Sequence, residues 1–187
     1  MSPALPDRIA WALARLEVRA GDTVLEIGCG NGRAIERLWP QLAGGHVTGI
    51  DRSAAAVATA GRRVAPGLVA GRVTLQQVAL AELAVPAACF GRAFAVDVNV
   101  FWQQPTAELA VLARVLVPGG RLWLVFEPPA AAQLEPIAHA CGARLGEAGF
   151  AAIAVVRHPR LPIVGVAARA PAGAVHSKLA AKIASRR

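Results

Sequence analysis

The residues best suited to chemistry lie close together in Glu26-Ile27-Gly28-Cys29-Gly30-Asn31-Gly32, with Asp51 further along the chain. The run Thr23 to Ile27 reads as a strand, the glycines as a tight turn, and the residues from about 32 as a helix. Glycines at such a turn let the backbone reverse sharply and let a ligand approach where a Cβ would collide. In an open parallel sheet that turn sits at the carboxyl edge of the first strand, where a ligand crevice forms. Asp51 ends the next strand, about 20 residues beyond the turn, a spacing that sets a carboxylate to accept both hydroxyls of an adenosine ribose.

The kind of nucleotide follows from detail. Nicotinamide sites use the spacing G-x-G-x-x-G, which brings a helix N-terminus to a pyrophosphate. Here the spacing is G-x-G-x-G, and Glu26 stands two residues before the first glycine. A carboxylate there repels a pyrophosphate and suits a cation. S-adenosylmethionine has no phosphate and carries both an ammonium and a sulfonium, so it matches. Arg52 is expected against adenine rather than a 2′-phosphate. A phosphate-binding P-loop is excluded, because no Gly-Lys-Ser/Thr occurs.

The elements that must position these residues alternate between Val/Ile/Leu-rich runs and helix-like segments, as in a parallel sheet covered on both faces. The pattern predicts a leading helix over 5–19, strands at 23–27 and 46–51, and helices over 32–43 and from Ser53 to about 65. Strands at 73–78 and 93–98 follow, then a helix at 105–116, a strand at 121–126 and a helix over 130–148. The last two strands, 151–157 and 162–168, are joined only by His158-Pro159-Arg160-Leu161. So short a link permits an antiparallel hairpin and forbids a right-handed crossover.

With these motifs on view, the chain resembles the small class I S-adenosylmethionine-dependent methyltransferases over roughly residues 5–170. Glu26 to Gly32 is similar to the family's first motif, and Gly49-Ile50-Asp51-Arg52-Ser53 to its acidic second-strand end. Phe94 to Trp102 resembles its fourth-strand segment, and Leu112 to Leu122, with Pro118-Gly119-Gly120, its helix–PGG–strand motif. The resemblance implies an α/β fold: a doubly wound, Rossmann-like sheet of seven strands. Their order would be 3-2-1-4-5-7-6, with the last strand antiparallel and helices on both faces.

It further implies that Gly28, Cys29 and Gly30 pack under the methionine part of S-adenosylmethionine, and that Glu26 orients this loop and the ammonium. Asp51 would hold the ribose. Ala79 and Leu80 would meet adenine through backbone groups, since Ala79 stands where the family often has Asp; Gly91 likewise replaces a common Asp. Asp97 and Val98 would complete the cofactor site at the tip of the fourth strand. Asp97 and His158 are the candidate catalytic residues, with Glu127 and His139 behind them. Trp11, Phe101 and Trp102 are expected to wall a substrate pocket, the leading helix folding over the cofactor. No metal is expected.

Composition bounds the rest. The 187 residues are 55% apolar and 17% charged, which fits one compact domain over 1–170 and excludes disorder. No stretch of about 18 apolar residues escapes charge, Gly or Pro, and the start lacks a secretion signal. With three cysteines at no metal-like spacing, a reducing cytoplasm is the expected compartment. The net charge of +8 is concentrated at one end: residues 151–187 carry seven basic residues and no acid. The preferred partner is a small-molecule methyl acceptor. An RNA- or ribosome-directed enzyme using the basic tail over 171–187 is the first alternative, and a non-catalytic binding protein on the same fold the second.

Overall fold

The structure is a computed structural model and describes residues 4–172. The basic tail expected over 171–187 therefore lies outside the described residues, apart from its first two. Helix α1 (Asp7–Leu16) leads into β1 (Thr23–Ile27), α2 (Arg33–Leu38), β2 (His46–Asp51), α3 (Ala54–Arg63), α4 (Ala65–Val69) and β3 (Val73–Gln77). Then come β4 (Phe90–Val96), α5 (Thr106–Val115), β5 (Leu116–Phe126), α6 (Leu134–Glu147), β6 (Ala151–Arg157) and β7 (Val164–Arg169). All seven strands form one sheet in the order β3-β2-β1-β4-β5-β7-β6. The pairs among β3, β2, β1, β4 and β5 are parallel, and β7 runs antiparallel to both β5 and β6.

Alternation along the central strands divides the core between two faces. Leu25, Ala95 and Leu124 face one layer, which α5 and α6 cover with Leu109, Leu112, Ile137 and Leu145. Val24, Phe94 and Trp123 face the other, which α1 and α2 cover with Trp11, Leu16, Ile35 and Leu38. Arg92 is buried at the amino edge, its Nε 2.5 Å from Asp22 Oδ2 and its Nη1 donating to the carbonyl of Leu16, so the end of α1 is pinned there.

Element ends depart from the sequence reading where proline or a side-chain hydrogen bond intervenes. The helix expected over 32–43 stops at Leu38 and tightens to a 3-10 turn containing Pro40. The next helix, expected to about 65, stops at Arg63, and α4, with Pro66 in its first turn, is a short helix that the sequence reading did not foresee. The leading helix is shorter than 5–19, because Pro6 precedes its first turn and Glu17 leaves it in the left-handed region. β4 ends one residue before Asp97, whose φ is +56 and whose Oδ1 accepts the Glu127 N–H. The final hairpin turn runs to Ile163 because His158 Nδ1 accepts the N–H groups of Arg160 and Leu161.

Gly165 on β7 faces the ring of Trp123, where an added Cβ would lie 2.1 Å from Cη2. Gly165→Ala should therefore lower stability by about 1–3 kcal/mol, as overpacking of a filled core does. Urea denaturation of the variant against the parent chain measures it, and equal midpoints would show that the tryptophan can yield.

Candidate functional site

The glycine turn is tied to β2 by its own backbone. The N–H groups of Gly28 and Cys29 both donate to the carbonyl of Ile50 at 2.9 Å, and the Gly30 N–H donates to Asp51 Oδ2 at 2.9 Å. Loop donors that would otherwise cradle a phosphate are thus already paired within the protein. Gly28 sits at φ +70, and a Cβ there would lie 2.7 Å from Val98 Cγ2, so loop and β4 tip meet only because the position is glycine. Asp51 Oδ1 accepts the Ser53 N–H, leaving each of its oxygens one further lone pair for a ligand hydroxyl.

Glu26 is buried at the end of β1, and its Oε2 has no hydrogen-bond partner. Burial first, and the charge of Asp51 second, hold its carboxyl well above the usual carboxylate range. A buried, unpaired carboxyl oxygen is costly unless a donor meets it. Cys29 is buried beside it, and its thiol is pushed up to about 12, chiefly by burial. At neutral pH it is a packed thiol and not a nucleophile.

Two cavities open at the carboxyl edge. The first, of about 620 Å³, is lined by Gly28, Asp51, Arg52, Ala79, Leu80 and Val98, among others, and also by Asn99, Gln103 and Glu108. The second, of about 640 Å³, is lined by Trp102, Phe126, Glu127, Pro128, Pro136 and Ile137, among others. Asp97 and Asn99 line both, so the cavities adjoin at the tip of β4. Glu26, Cys29 and Gly30 do not line the first cavity but fix the loop that does.

Asp97 is held from both sides: Oδ1 accepts the Glu127 N–H at 2.8 Å, and Oδ2 lies 2.7 Å from Arg8 Nε. Arg8 Nη1 also meets Glu127 Oε2 at 2.9 Å, so one guanidinium on α1 bridges both carboxylates. The Asp97 carboxyl is raised by burial and by the Glu127 charge, against the lowering by the Glu127 N–H and Arg8. Sequence reasoning missed Arg8, which sits on a helix with no local signature. It also missed Asn99, Gln103 and Glu108, whose positions just after β4 were the available signal.

Other expected residues lie elsewhere. Trp11 is 9% exposed and packs against Trp123 and, edge-on, His158, so it anchors α1 in the core. Phe101 is 1% exposed and also core. Neither lines the two cavities, whereas Trp102 walls the second. His158, expected as a catalytic candidate, has its Nδ1 engaged by the hairpin turn and its ring against Trp11, a structural placement. His139 is exposed on α6. Among the described residues, no group of three or more His, Cys, Asp or Glu is arranged to hold a metal ion, and no helix is long and apolar enough to cross a membrane.

The donor set fits a cationic nucleoside. Five of the twelve acidic residues, Glu26, Asp51, Asp97, Glu108 and Glu127, gather at this edge, and Glu26 offers an unpaired oxygen. Comparison with known proteins agrees. Residues 24–120 match the family model described as methyltransferase domain. An uncharacterized methyltransferase, YdaC, of Bacillus subtilis is 29% identical over 63% of this chain and 63% of its own length. The 27-O-demethylrifamycin SV methyltransferase of Amycolatopsis mediterranei is 36% identical over 81% of this chain. The chain spans 54% of that relative. A crystal structure of a SAM-dependent methyltransferase from Aquifex aeolicus superposes with a TM-score of 0.73 at 23% identity, over 89% of this chain and 94% of that one. With more than half its length matched by the methyltransferase-domain model and with that fold around it, the chain belongs to the class I S-adenosylmethionine-dependent methyltransferases.

Proposed function

We propose that the chain transfers the methyl group of S-adenosylmethionine to a small-molecule acceptor seated in the second cavity. The observation that carries this reading is the pair of adjoining cavities sharing Asp97 and Asn99, one lined by the cofactor motifs and the other largely apolar. The 27-O-demethylrifamycin SV methyltransferase, named for a small-molecule acceptor, supports it.

In this reading Asp51 accepts the ribose hydroxyls with the lone pairs left by Gly30 and Ser53. Ala79 and Leu80 present backbone groups to adenine, and Arg52 lies against its ring. Glu26 and Asp97 face the ammonium, while Gly28 and Val98 pack beneath the methionine chain and Cys29 and Gly30 hold the loop in place. When bound, the cofactor supplies a methyl group on a positively charged sulfur, an electrophile. The protein's own part is to bring the acceptor atom into line and to exclude water, which by itself supplies much of a rate. Asp97 serves here as a fixed carboxylate, since both its oxygens are already engaged. The acceptor wall is formed by Trp102 with the Pro128 and Pro136 segments.

Calorimetric titration with S-adenosylmethionine and S-adenosylhomocysteine tests the cofactor assignment. Asp51→Ala should weaken both by about tenfold or more, the loss of hydrogen bonds to a charged group. An unchanged affinity, or comparable binding of NADH, would overturn the assignment. Radiolabelled methyl transfer to a pool of small metabolites, absent in Asp51→Ala, tests the acceptor class.

A second prediction concerns protons. Without a cation beside it, Glu26 favours its neutral form, because its carboxyl is raised by burial and by Asp51. A bound ammonium favours the carboxylate, so cofactor binding should release a proton at pH values between the ordinary carboxylate range and the raised one. Affinity for S-adenosylhomocysteine should then increase as pH rises through that window and level off above it. Glu26→Gln should flatten the profile and weaken binding by about tenfold. Titrations in buffers of different ionisation enthalpy count the protons, and zero release throughout would sink this role for Glu26.

A further inference from the structure

We infer that the second cavity takes an uncharged, flat apolar molecule bearing a hydrogen-bond donor, which Glu127 Oε1 receives while Arg8 holds that carboxylate in place. This deepens, and rests on, the reading of the cavity as the acceptor site.

The wall fixes the apolar part. Trp102, Phe126 and Ile137 offer flat or aliphatic surface, and Pro128, Pro129 and Pro136 add rigid rings. A volume of about 640 Å³ lies in the range that accepts ring systems of drug-like size. The three prolines have no backbone N–H, so these positions give no backbone donor to a carboxylate or phosphate, and the neutral donors of Trp102, Asn99 and Gln133 bring no positive charge to one.

The polar groups fix the rest. Asp97 has each oxygen engaged, by the Glu127 N–H and by Arg8. Glu127 has Oε2 on Arg8, while among the described residues Oε1 accepts no hydrogen bond. Each Asp97 oxygen keeps one lone pair and Glu127 Oε1 keeps both, so Glu127 Oε1 is the carboxylate oxygen with the most capacity for a ligand donor. Asn99 and Gln133 are neutral, and among the described residues no cationic side chain lines the cavity. Asp97 and Glu127 against Arg8 leave one net negative charge, which disfavours an anionic acceptor. The sulfonium charge that the cofactor brings to the adjoining cavity offsets it, so a neutral acceptor leaves the site balanced. A cationic acceptor would instead place a second positive charge beside Arg8 and near the sulfonium. A hydroxyl meets Oε1 without adding charge of either sign.

Arg8 is a positioning residue here. Its two contacts, 2.7 Å to Asp97 and 2.9 Å to Glu127, fix which oxygen of Glu127 is turned away from α1.

The test is calorimetric titration of the full chain at neutral pH, saturated with sinefungin, a cofactor analogue whose amine supplies the positive charge of the sulfonium, using four probes of one shape. These are 2-naphthol, 2-methoxynaphthalene, 2-naphthoate and 2-naphthylmethylammonium. 2-Naphthol should bind about tenfold tighter than 2-methoxynaphthalene, the worth of a hydrogen bond to a charged group, and tighter than both ions by at least as much. Glu127→Ala should erase the advantage of naphthol over its methyl ether. Arg8→Ala should reduce that advantage and Arg8→Lys restore part of it, which a purely structural role would not do. Ala140→Trp, which adds bulk to the cavity wall, should abolish binding of every probe while melting cooperatively. Tighter binding of the anion or the cation, no probe binding at all, or a naphthol advantage that survives Glu127→Ala would overturn the inference. Selective probe binding by a chain that ignores both sinefungin and S-adenosylhomocysteine would instead sink the methyl-transfer reading and leave this one standing.

Discussion

Three backbone hydrogen bonds fasten the glycine turn to the end of β2, and the site depends on them. Gly28 and Cys29 share the Ile50 carbonyl, and Gly30 holds Asp51. The fastening keeps Asp51 beside the loop it must serve. It also uses up amides that an anionic ligand would need, so the same local geometry leaves Asp51 with lone pairs to offer a donor and selects against pyrophosphate. The parallel pairing of β1 with β2 and with β4 then carries Glu26, Asp51 and Asp97 to one edge.

Helix α1 is held at both ends by arginines acting in opposite directions across the sheet. Arg92 grips its last carbonyl at the amino edge, and Arg8 reaches from its first turn to Asp97 and Glu127 at the carboxyl edge. Trp11 sets the helix in the core between these two anchors. The helix therefore contributes to the site by one side chain and not by a covering surface. Exposed ion pairs add little stability, and these are more than a third exposed on the Arg8 side, so their effect is orientation.

Much of this was legible in the sequence. The strands and the hairpin at the end of the sheet follow from Val/Ile/Leu runs, the helix-length segments between them and the four-residue link after Arg157, while the strand order was implied by the resemblance to the methyltransferases. The cofactor edge was legible because its residues sit in a contiguous motif, and glycine spacing is a local signal. The acceptor edge was less so. Trp102 and Glu127 were named from their places after β4 and β5, but Arg8 comes from a distant helix and meets Glu127 only in three dimensions. Trp11 and Phe101 were expected on a pocket wall because aromatic residues near a site suit either role, and only packing decides. His158 was expected to do chemistry, yet its position in a tight hairpin gave its ring nitrogen two amides to satisfy.

The two cavities draw on different parts of the chain. The first is built from residues between Ile27 and Glu108, and the second from Asp97 to Ala140. The match to the methyltransferase-domain model ends at residue 120, short of the wall made by Phe126 to Ala140. On the proposed reading, donor handling and acceptor choice are written in separate passages that overlap between Asp97 and Glu108. Substitutions between Pro128 and Ala140 redraw the second cavity while the lining of the first stays as it is, so the two cavities can vary independently.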